Sequence, residues 1–188
     1  ERGALLYQAV RFQPKDFKQR RPDGTGGWLW KLDGVRRVLF GLKELQGRKI
    51  VYVVEGEKDV LTLRALGFVA TTNAGGASKN PERPKWLSEY TKQLLAAGVE
   101  SVVVVPDHDE AGHAHAEAVA RMSTAAGLRV KVLALPGLAE KGDISDWLAT
   151  GHTQAELAAL VRATPIYVAG EVMPPISRYG SAWSTCRS

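Results

Sequence analysis

Val102-Val103-Val104-Val105-Pro106-Asp107-His108-Asp109-Glu110-Ala111-Gly112 is the stretch that decides the fold. Four β-branched apolar residues run without a polar break, which is the pattern of a strand buried on both faces of a parallel sheet. Pro106 has no N–H for a ladder and helps end the strand. Carboxylates follow at once, and a helical stretch begins at Glu110. A second stretch, Val51-Tyr52-Val53-Val54-Glu55-Gly56-Glu57-Lys58-Asp59, repeats the arrangement. In open α/β sheets ligands bind outside the carboxyl ends of the strands. If the two strands are neighbours, Glu55, Asp107 and Asp109 converge on one site. Carboxylates that close repel one another unless a cation sits among them. Hard oxygen donors of this kind suit Mg²⁺ or Mn²⁺.

Outward from these stretches the pattern alternates. Strands are expected at 50–54, 68–72, 101–105 and 129–134. Helices are expected at 57–66, 84–97, 110–126, 143–149 and 153–163. Gly67, Gly98 and Gly127 each fall just past a helical stretch, where a left-handed cap is wanted. The alternation predicts an α/β fold, a parallel sheet with helices on both faces. A Gly-rich loop, Asn73-Ala74-Gly75-Gly76-Ala77-Ser78-Lys79, separates two of the units. Its amides could form an anion nest with Lys79 beside a phosphate, or it is a plain turn. No Gly-x4-Gly-Lys-Ser/Thr occurs.

Before residue 50 the character changes. Residues 1–50 hold twelve Lys or Arg against five Asp or Glu, a balance of +7, whereas residues 51–188 hold thirteen against fifteen, a balance of −2. Residues 4–13 and 28–32 read as strands of an antiparallel hairpin, and 37–46 as a short helix. Lys15, Lys18, Arg20 and Arg21 form the expected basic tip. Trp28 and Trp30 alternate on the second strand, either packing on the core or presenting a stacking surface for a single strand. Basic asymmetry suits a polyanion partner, and equally a solvated basic surface. The division expected is a basic N-terminal subdomain at 1–48, the α/β domain at 49–164 and an irregular tail or linker at 165–188.

The 188 residues suffice for one good core with a small appendage, and 45% hydrophobic with 24% charged residues is ordinary for a globular protein. No apolar run approaches a membrane span, and no N-terminal segment has a secretory layout. One cysteine, Cys186, excludes an internal disulfide and a cysteine-based zinc site within these residues, so a reducing, cytoplasmic setting is expected. The sequence begins at Glu1 rather than Met, as a processed product or a fragment of a longer chain would.

Glu55-Gly56-Glu57-Lys58-Asp59, Asp107-x-Asp109-x-Ala111-Gly112 and Lys141-Gly142-Asp143-Ile144-Ser145-Asp146-Trp147-Leu148 together resemble the TOPRIM domain, over roughly residues 48–150. That domain is shared by primases, topoisomerases and some nucleases. The Ala-Gly after the second motif is similar to the primase and phage or plasmid primase-helicase branch. The resemblance implies a Rossmann-like sheet and Mg-dependent nucleotidyl transfer on a single-stranded DNA template, with nucleoside triphosphates as substrates. It implies Glu55, Asp107 and Asp109 as catalytic residues. It implies Glu55, Asp107, Asp109 and Asp143 as ligands of Mg²⁺ or Mn²⁺, with two ions orienting triphosphate and attacking hydroxyl. Gly56, Lys79 and Gly112 would lie against phosphate, and the basic N-terminal segment would hold template. A helicase domain or partner is the expected companion, in a bacterial or phage-infected cell.

Alternatives stand beside each role. Asp109 could cap helix 110–126, and Asp143 or Asp146 could cap helix 143–149. Asp59 matches an acidic position of that family and could equally favour the first turn of its helix. His113 and His115, two apart on a helix, do not share a face and read as surface residues; His108 is expected to point away from the two Asp residues. At the level of function, a TOPRIM-type nuclease, with water as nucleophile, and a non-catalytic DNA-binding or loading module are the competing readings.

Overall fold

The structure is a computed structural model that describes residues 5–14, 16–78, 80 and 83–170, with the backbone alone for Arg11, Asp16 and Phe17. Lys15, Lys79 and the tail from 171 onward lie outside the described residues. The chain divides into two compact units, Glu1–Val38 and Leu39–Ser188.

In the second unit β4 (Ile50–Val53), β5 (Ala70–Thr71), β6 (Ser101–Val104) and β7 (Arg129–Val132) form one parallel sheet in the order β5-β4-β6-β7. The register pairs Val51 with Val102 and Val53 with Val104. β4 and β6 are therefore neighbours at the centre, as the two Val-rich runs predict. α1 (Glu57–Ala65), α2 (Ser88–Ala96), α3 (Glu110–Ala125), α4 (Ile144–Ala149) and α5 (Gln154–Ala163) cover it. Side chains alternate across the strands. Val51, Val53, Val102, Val104 and Val130 pack with Trp86, Tyr90, Leu94 and Val119. Tyr52, Val54, Val103 and Val105 pack with Val60, Leu63, Ile144, Trp147 and Leu157. Both faces are apolar, which is why the runs are unbroken and why polar residues collect at the strand ends. Among the described residues no helix is long and apolar enough to cross a membrane.

Element edges differ from the sequence reading in places. Helix 84–97 starts only at Ser88, with Leu87 at its N-cap. The helix read over 37–46 is a single 3-10 turn at Leu42–Leu45. The residues before it join the sheet instead: Phe40 N–H donates to Thr72 O (2.9 Å) and Thr71 Oγ1 to Phe40 O (2.8 Å). At the other end of the unit, Tyr167 N–H donates to Val130 O (2.7 Å) and its hydroxyl to Glu117 (2.5 Å), so the start of the expected tail packs on β7 and α3.

The first unit is an antiparallel basic sheet, but with three strands: β1 (Gln8–Phe12), β2 (Asp16–Pro22) and β3 (Trp28–Leu29), in that order. The expected basic tip is thus corrected. Lys18, Arg20 and Arg21 lie on the central strand, paired with Val10, Gln8 and Leu29. Asp16-Phe17-Lys18-Gln19-Arg20-Arg21-Pro22 has too few apolar residues to show a strand period. Its place in the sheet comes from ladder hydrogen bonds on both sides and from long stems lying over aromatic rings. The turn is confined to Asp23–Gly27, where the Asp23 carboxylate accepts the N–H groups of Thr25 (2.8 Å) and Gly27 (2.9 Å).

Candidate active site at the carboxyl ends of the sheet

β4 and β6 end side by side, and their next residues turn into one cleft. Glu55 follows β4 and Asp107 follows β6. The Glu55 carboxylate accepts the backbone N–H of Asp107 at 3.2 Å and also that of Ala77. The Glu55 carbonyl accepts from Thr72 Oγ1 (2.8 Å). Gly76, at φ 55°, lies against that carbonyl; a Cβ there would stand 2.6 Å from the Glu55 oxygen. The Gly-rich loop therefore closes over Glu55, with its own Asn73 Nδ2 donating to Gly76 O (2.9 Å).

Gly112 has the same significance on the other side. A Cβ on it would meet the Asp107 carbonyl and come within 2.5 Å of the Glu55 carboxylate. The first turn of α3 is thereby allowed to press into the cleft. Asp109 is the N-cap of that helix, its carboxylate accepting Gly112 N–H at 2.8 Å. The capping role is present, and the residue still stands within electrostatic reach of Glu55 and Asp107. Gly56 caps α1 in an extended conformation, φ −113°, that any residue adopts. Its value lies in space, because a Cβ would stand 2.9 Å from the Asp59 carboxylate.

The third motif is brought in by a loop-to-loop ladder. His108 N–H donates to Gly142 O and Lys141 N–H to His108 O, both at 2.9 Å. The His108 ring turns to Ala139 O (3.0 Å), away from the two Asp side chains as expected. Asp143 caps α4 in a reciprocal box with Asp146: it accepts Asp146 N–H at 2.9 Å while Asp146 accepts its N–H at 3.1 Å. It also receives Lys58 Nζ at 2.5 Å. Asp59 was open to two readings, an acidic position of the family or a first-turn residue. It is 4% exposed, accepts Ser145 Oγ at 2.6 Å and lies 3.8 Å from Lys58 Nζ. Asp59 thus lies beside the site, together with Lys58 and Ser145, to which sequence reasoning gave no role. The signal was the adjacency of Lys58-Asp59 to Glu55, on the first exposed turn after a strand end.

Electrostatics follow from this crowding. Burial pushes Glu55 up to about 7; the Asp107 N–H works against this, while Asp109 and Asp59 add to it. Burial pushes Asp107 up to about 8, with Glu55, Asp59, Asp143 and Asp109 reinforcing it. Asp59 is raised by burial, partly opposed by Ser145. Asp143 goes the other way. Burial would raise it, but the Lys58 hydrogen bond and the Asp146 N–H outweigh that and hold it below the usual carboxylate range. His115, expected at the surface, is 3% exposed against Trp86, with both ring nitrogens unpartnered. Burial drives it down to about 4, so it stays neutral.

Does the arrangement fit a divalent ion? Among the described residues no three His, Cys, Asp or Glu side chains already converge as a preformed metal cage. The donor set nevertheless fits in chemistry. Glu55 and Asp107 are hard oxygen donors on adjacent strand ends, and the Glu55 charge makes ionisation of Asp107 more costly. Asp109 has one carboxylate oxygen in its cap. A dication would offset the repulsion that Glu55 adds at Asp107 and that Asp109 and Asp59 add at Glu55.

A separate surface lies on the first unit. Lys18 and Arg20 share one face of β2, and Arg21 points to the other, as period two requires. Arg20 lies 3.9 Å from the ring of Trp28 and 5.4 Å from that of Trp30, and Lys18 stands 5.5 Å from that of Phe12. Phe12 and Trp30 are themselves in contact, centroids 5.6 Å apart. The rings stay open to solvent: Phe12 and Trp28 are 37% exposed and Trp30 is 51% exposed. Trp28 and Trp30 thus pack on Arg20 and Phe12 while each keeps part of its ring in solvent.

The family described as Toprim-like matches residues 52–148, the span holding all three acidic motifs. The chain belongs to the Toprim-like family. A DNA primase of Chlamydia pneumoniae is 29% identical over 147 residues, covering 76% of this chain and 23% of that protein. The chain thus spans less than a quarter of the length of that relative. The primase of Aquifex aeolicus, solved as its zinc-binding and RNA polymerase domains, superposes with a TM-score of 0.63 at 20% identity, over 88% of this chain and 38% of the other. A DnaG primase catalytic domain bound to ssDNA superposes with a TM-score of 0.53, over 85% of this chain and 51% of the other, also at 20% identity. These two likenesses carry the Toprim-like fold.

Proposed function

We propose that this chain is the catalytic module of a DNA primase or primase-helicase-like replication protein, acting in the cytoplasm of a bacterial or phage-infected cell. Its reaction is nucleotidyl transfer from nucleoside triphosphates on a single-stranded DNA template. The observation that carries the reading is the Glu55–Asp107 pair: two acids at adjacent strand ends, the Glu55 carboxylate accepting the Asp107 backbone N–H at 3.2 Å, with burial raising them to about 7 and about 8. Primase relatives point to the same chemistry.

Glu55, Asp107 and Asp109 would hold Mg²⁺ or Mn²⁺. The bound ion supplies charge neutralisation for the phosphates and lowers the cost of ionising the attacking hydroxyl. Glu55, poised near neutrality, is suited to accept a proton from that hydroxyl. Gly56 and Gly112, at the starts of α1 and α3, would lie against phosphate oxygens, where helix N–H groups and the dipole favour anions. Lys79 is proposed to join them from the Gly-rich loop. Lys15, Lys18, Arg20 and Arg21 would meet template phosphates while Phe12, Trp28 and Trp30 stack its bases. A helicase domain or partner would feed that strand.

The test is one assay. The chain is incubated with single-stranded template, Mg²⁺ or Mn²⁺ and labelled ribonucleotides. New labelled oligonucleotides establish the primase reading. Shortened template means a nuclease, and retention without product means a binding module.

A further inference from the structure

One half of the acidic cluster is already occupied by a cation from the chain itself. Lys58 Nζ stands 2.5 Å from Asp143 Oδ2 and 3.8 Å from Asp59 Oδ1. Among the described residues no other Lys or Arg pairs with the site's carboxylates. The helix does not explain this placement. Lys58 lies in the first turn of α1, where the dipole disfavours a positive charge. Its neighbours do explain it, because Asp59 is buried with a neutral hydroxyl, Ser145, as its hydrogen-bond partner, and Asp143 faces it across the cleft. Among the described residues, Glu55, Asp107 and Asp109 have no such counter-charge.

We propose that the Lys58 ammonium is a built-in cation for the Asp59–Asp143 half, so that this site takes one divalent ion, at Glu55, Asp107 and Asp109, rather than two. The inference rests on the metal-dependent reading above. The ammonium is a compact point charge on a flexible stem. It is tethered, so its local concentration far exceeds that of a free ion. A second dication at Asp59 and Asp143 would have to displace it or sit beside a like charge. Ser145 fits the same division. Its hydroxyl orients Asp59 without adding the negative charge that a second dication would need. Lys58 is then a specificity-determining residue, setting the metal count, and Asp143 is its anchor rather than a ligand.

The experiment counts Mn²⁺ bound to the full chain by calorimetry and electron paramagnetic resonance, for wild type, Lys58→Met, Lys58→Arg and the double variant Lys58→Met/Asp143→Asn. Lys58 is 60% exposed, so its loss leaves the core intact, and a thermal melt of each variant checks this. The expected counts are one ion for wild type and Lys58→Arg, two for Lys58→Met, and one again for the double variant. Two ions in wild type, or one in a folded Lys58→Met protein, overturns the proposal while leaving the metal reading intact. No ion in wild type overturns the metal reading itself, and this inference with it. Lys58→Gln, read alongside, decides the matter should Lys58→Met melt early.

Discussion

The two units carry opposite charges in opposite ways. At the carboxyl ends of the parallel sheet, acids are packed among backbone amides and one another, and burial moves Glu55 and Asp107 toward neutrality. On the three-stranded sheet, an exposed Lys18 and a half-buried Arg20 lie over aromatic rings. On the function proposed, the difference separates chemistry from grip. Proton and metal chemistry needs a dry, fixed geometry that perturbs its groups. Holding a flexible polyanion needs exposed charge and flat rings that accept any base.

The largest effect expected is on turnover. Glu55→Gln should lower nucleotidyl transfer by about a hundred- to ten-thousand-fold, the range for loss of a positioned acid or base. Retention of single-stranded DNA should stay near wild type. Unchanged metal affinity identifies Glu55 as the acid/base, and a parallel fall in metal affinity identifies it as a ligand. If DNA retention collapses with turnover, the two regions are not separable functions.

The mirror experiment acts on the other unit. Trp28→Ala and Trp30→Ala should each weaken single-strand binding by about 1–3 kcal/mol per base stacked, with the metal count unchanged. Arg20→Ala should weaken binding and flatten its dependence on salt, since fewer counterions are released. Equilibrium binding across a salt series separates these effects. A salt slope unaltered by Arg20→Ala would remove the sheet from the nucleic-acid interface.

Gly112→Ala should destabilise the fold by about 1–3 kcal/mol, the range for overpacking. The added methyl meets backbone at Asp107 and the Glu55 carboxylate, neither of which is a flexible chain end. Denaturant unfolding gives the number. The same change at Gly127, where a Cβ would meet nothing within 4 Å, costs only the strain of its positive φ, 91°.

The smallest effect is in pH dependence. Glu55 and Asp107 have folded values of about 7 and about 8, against ordinary values of 4.5 and 3.8. The folded state therefore keeps protons that the unfolded chain has already lost. Through these two groups, stability is highest below about pH 4 and falls as pH rises toward 8. The melting temperature of metal-free protein should drop by a few degrees between pH 7 and 8, roughly 2–4 °C for each kcal/mol in a chain of this size. Asp107→Asn should flatten that fall, and Mn²⁺ should reverse it. A metal-free protein whose melting temperature rises across this window would show that the acids are not crowded as described.

Much of the parallel sheet was legible because its signals are local. Val102–Val105 can only be a doubly buried strand, and glycines stand past the helices at Gly67, Gly98 and Gly127, all with positive φ. The adjacency of β4 and β6, and with it the meeting of Glu55 and Asp107, was readable as an expectation from strand ends alone. β2 was not legible. Its residues are charged, and its strand character comes from partners on both sides. His115 was misplaced because periodicity gave it no face, whereas Trp86 and the sheet enclose it.

By its own pattern the sequence determined an α/β unit with acids at the strand ends and a basic unit before it. Hydrophobic period, glycine positions and charge balance are properties of neighbouring residues, so they survive without coordinates. Only the tertiary structure decided which acids share a wall and which have a cation. Lys58 reaches Asp143, 85 positions away, because a loop ladder between His108 and Lys141–Gly142 carries α4 to the cleft. Only the fold made Gly112 a matter of space and Asp59 a buried charge. Such distances and burials are set by packing between elements far apart in the chain, and no local pattern of residues encodes them.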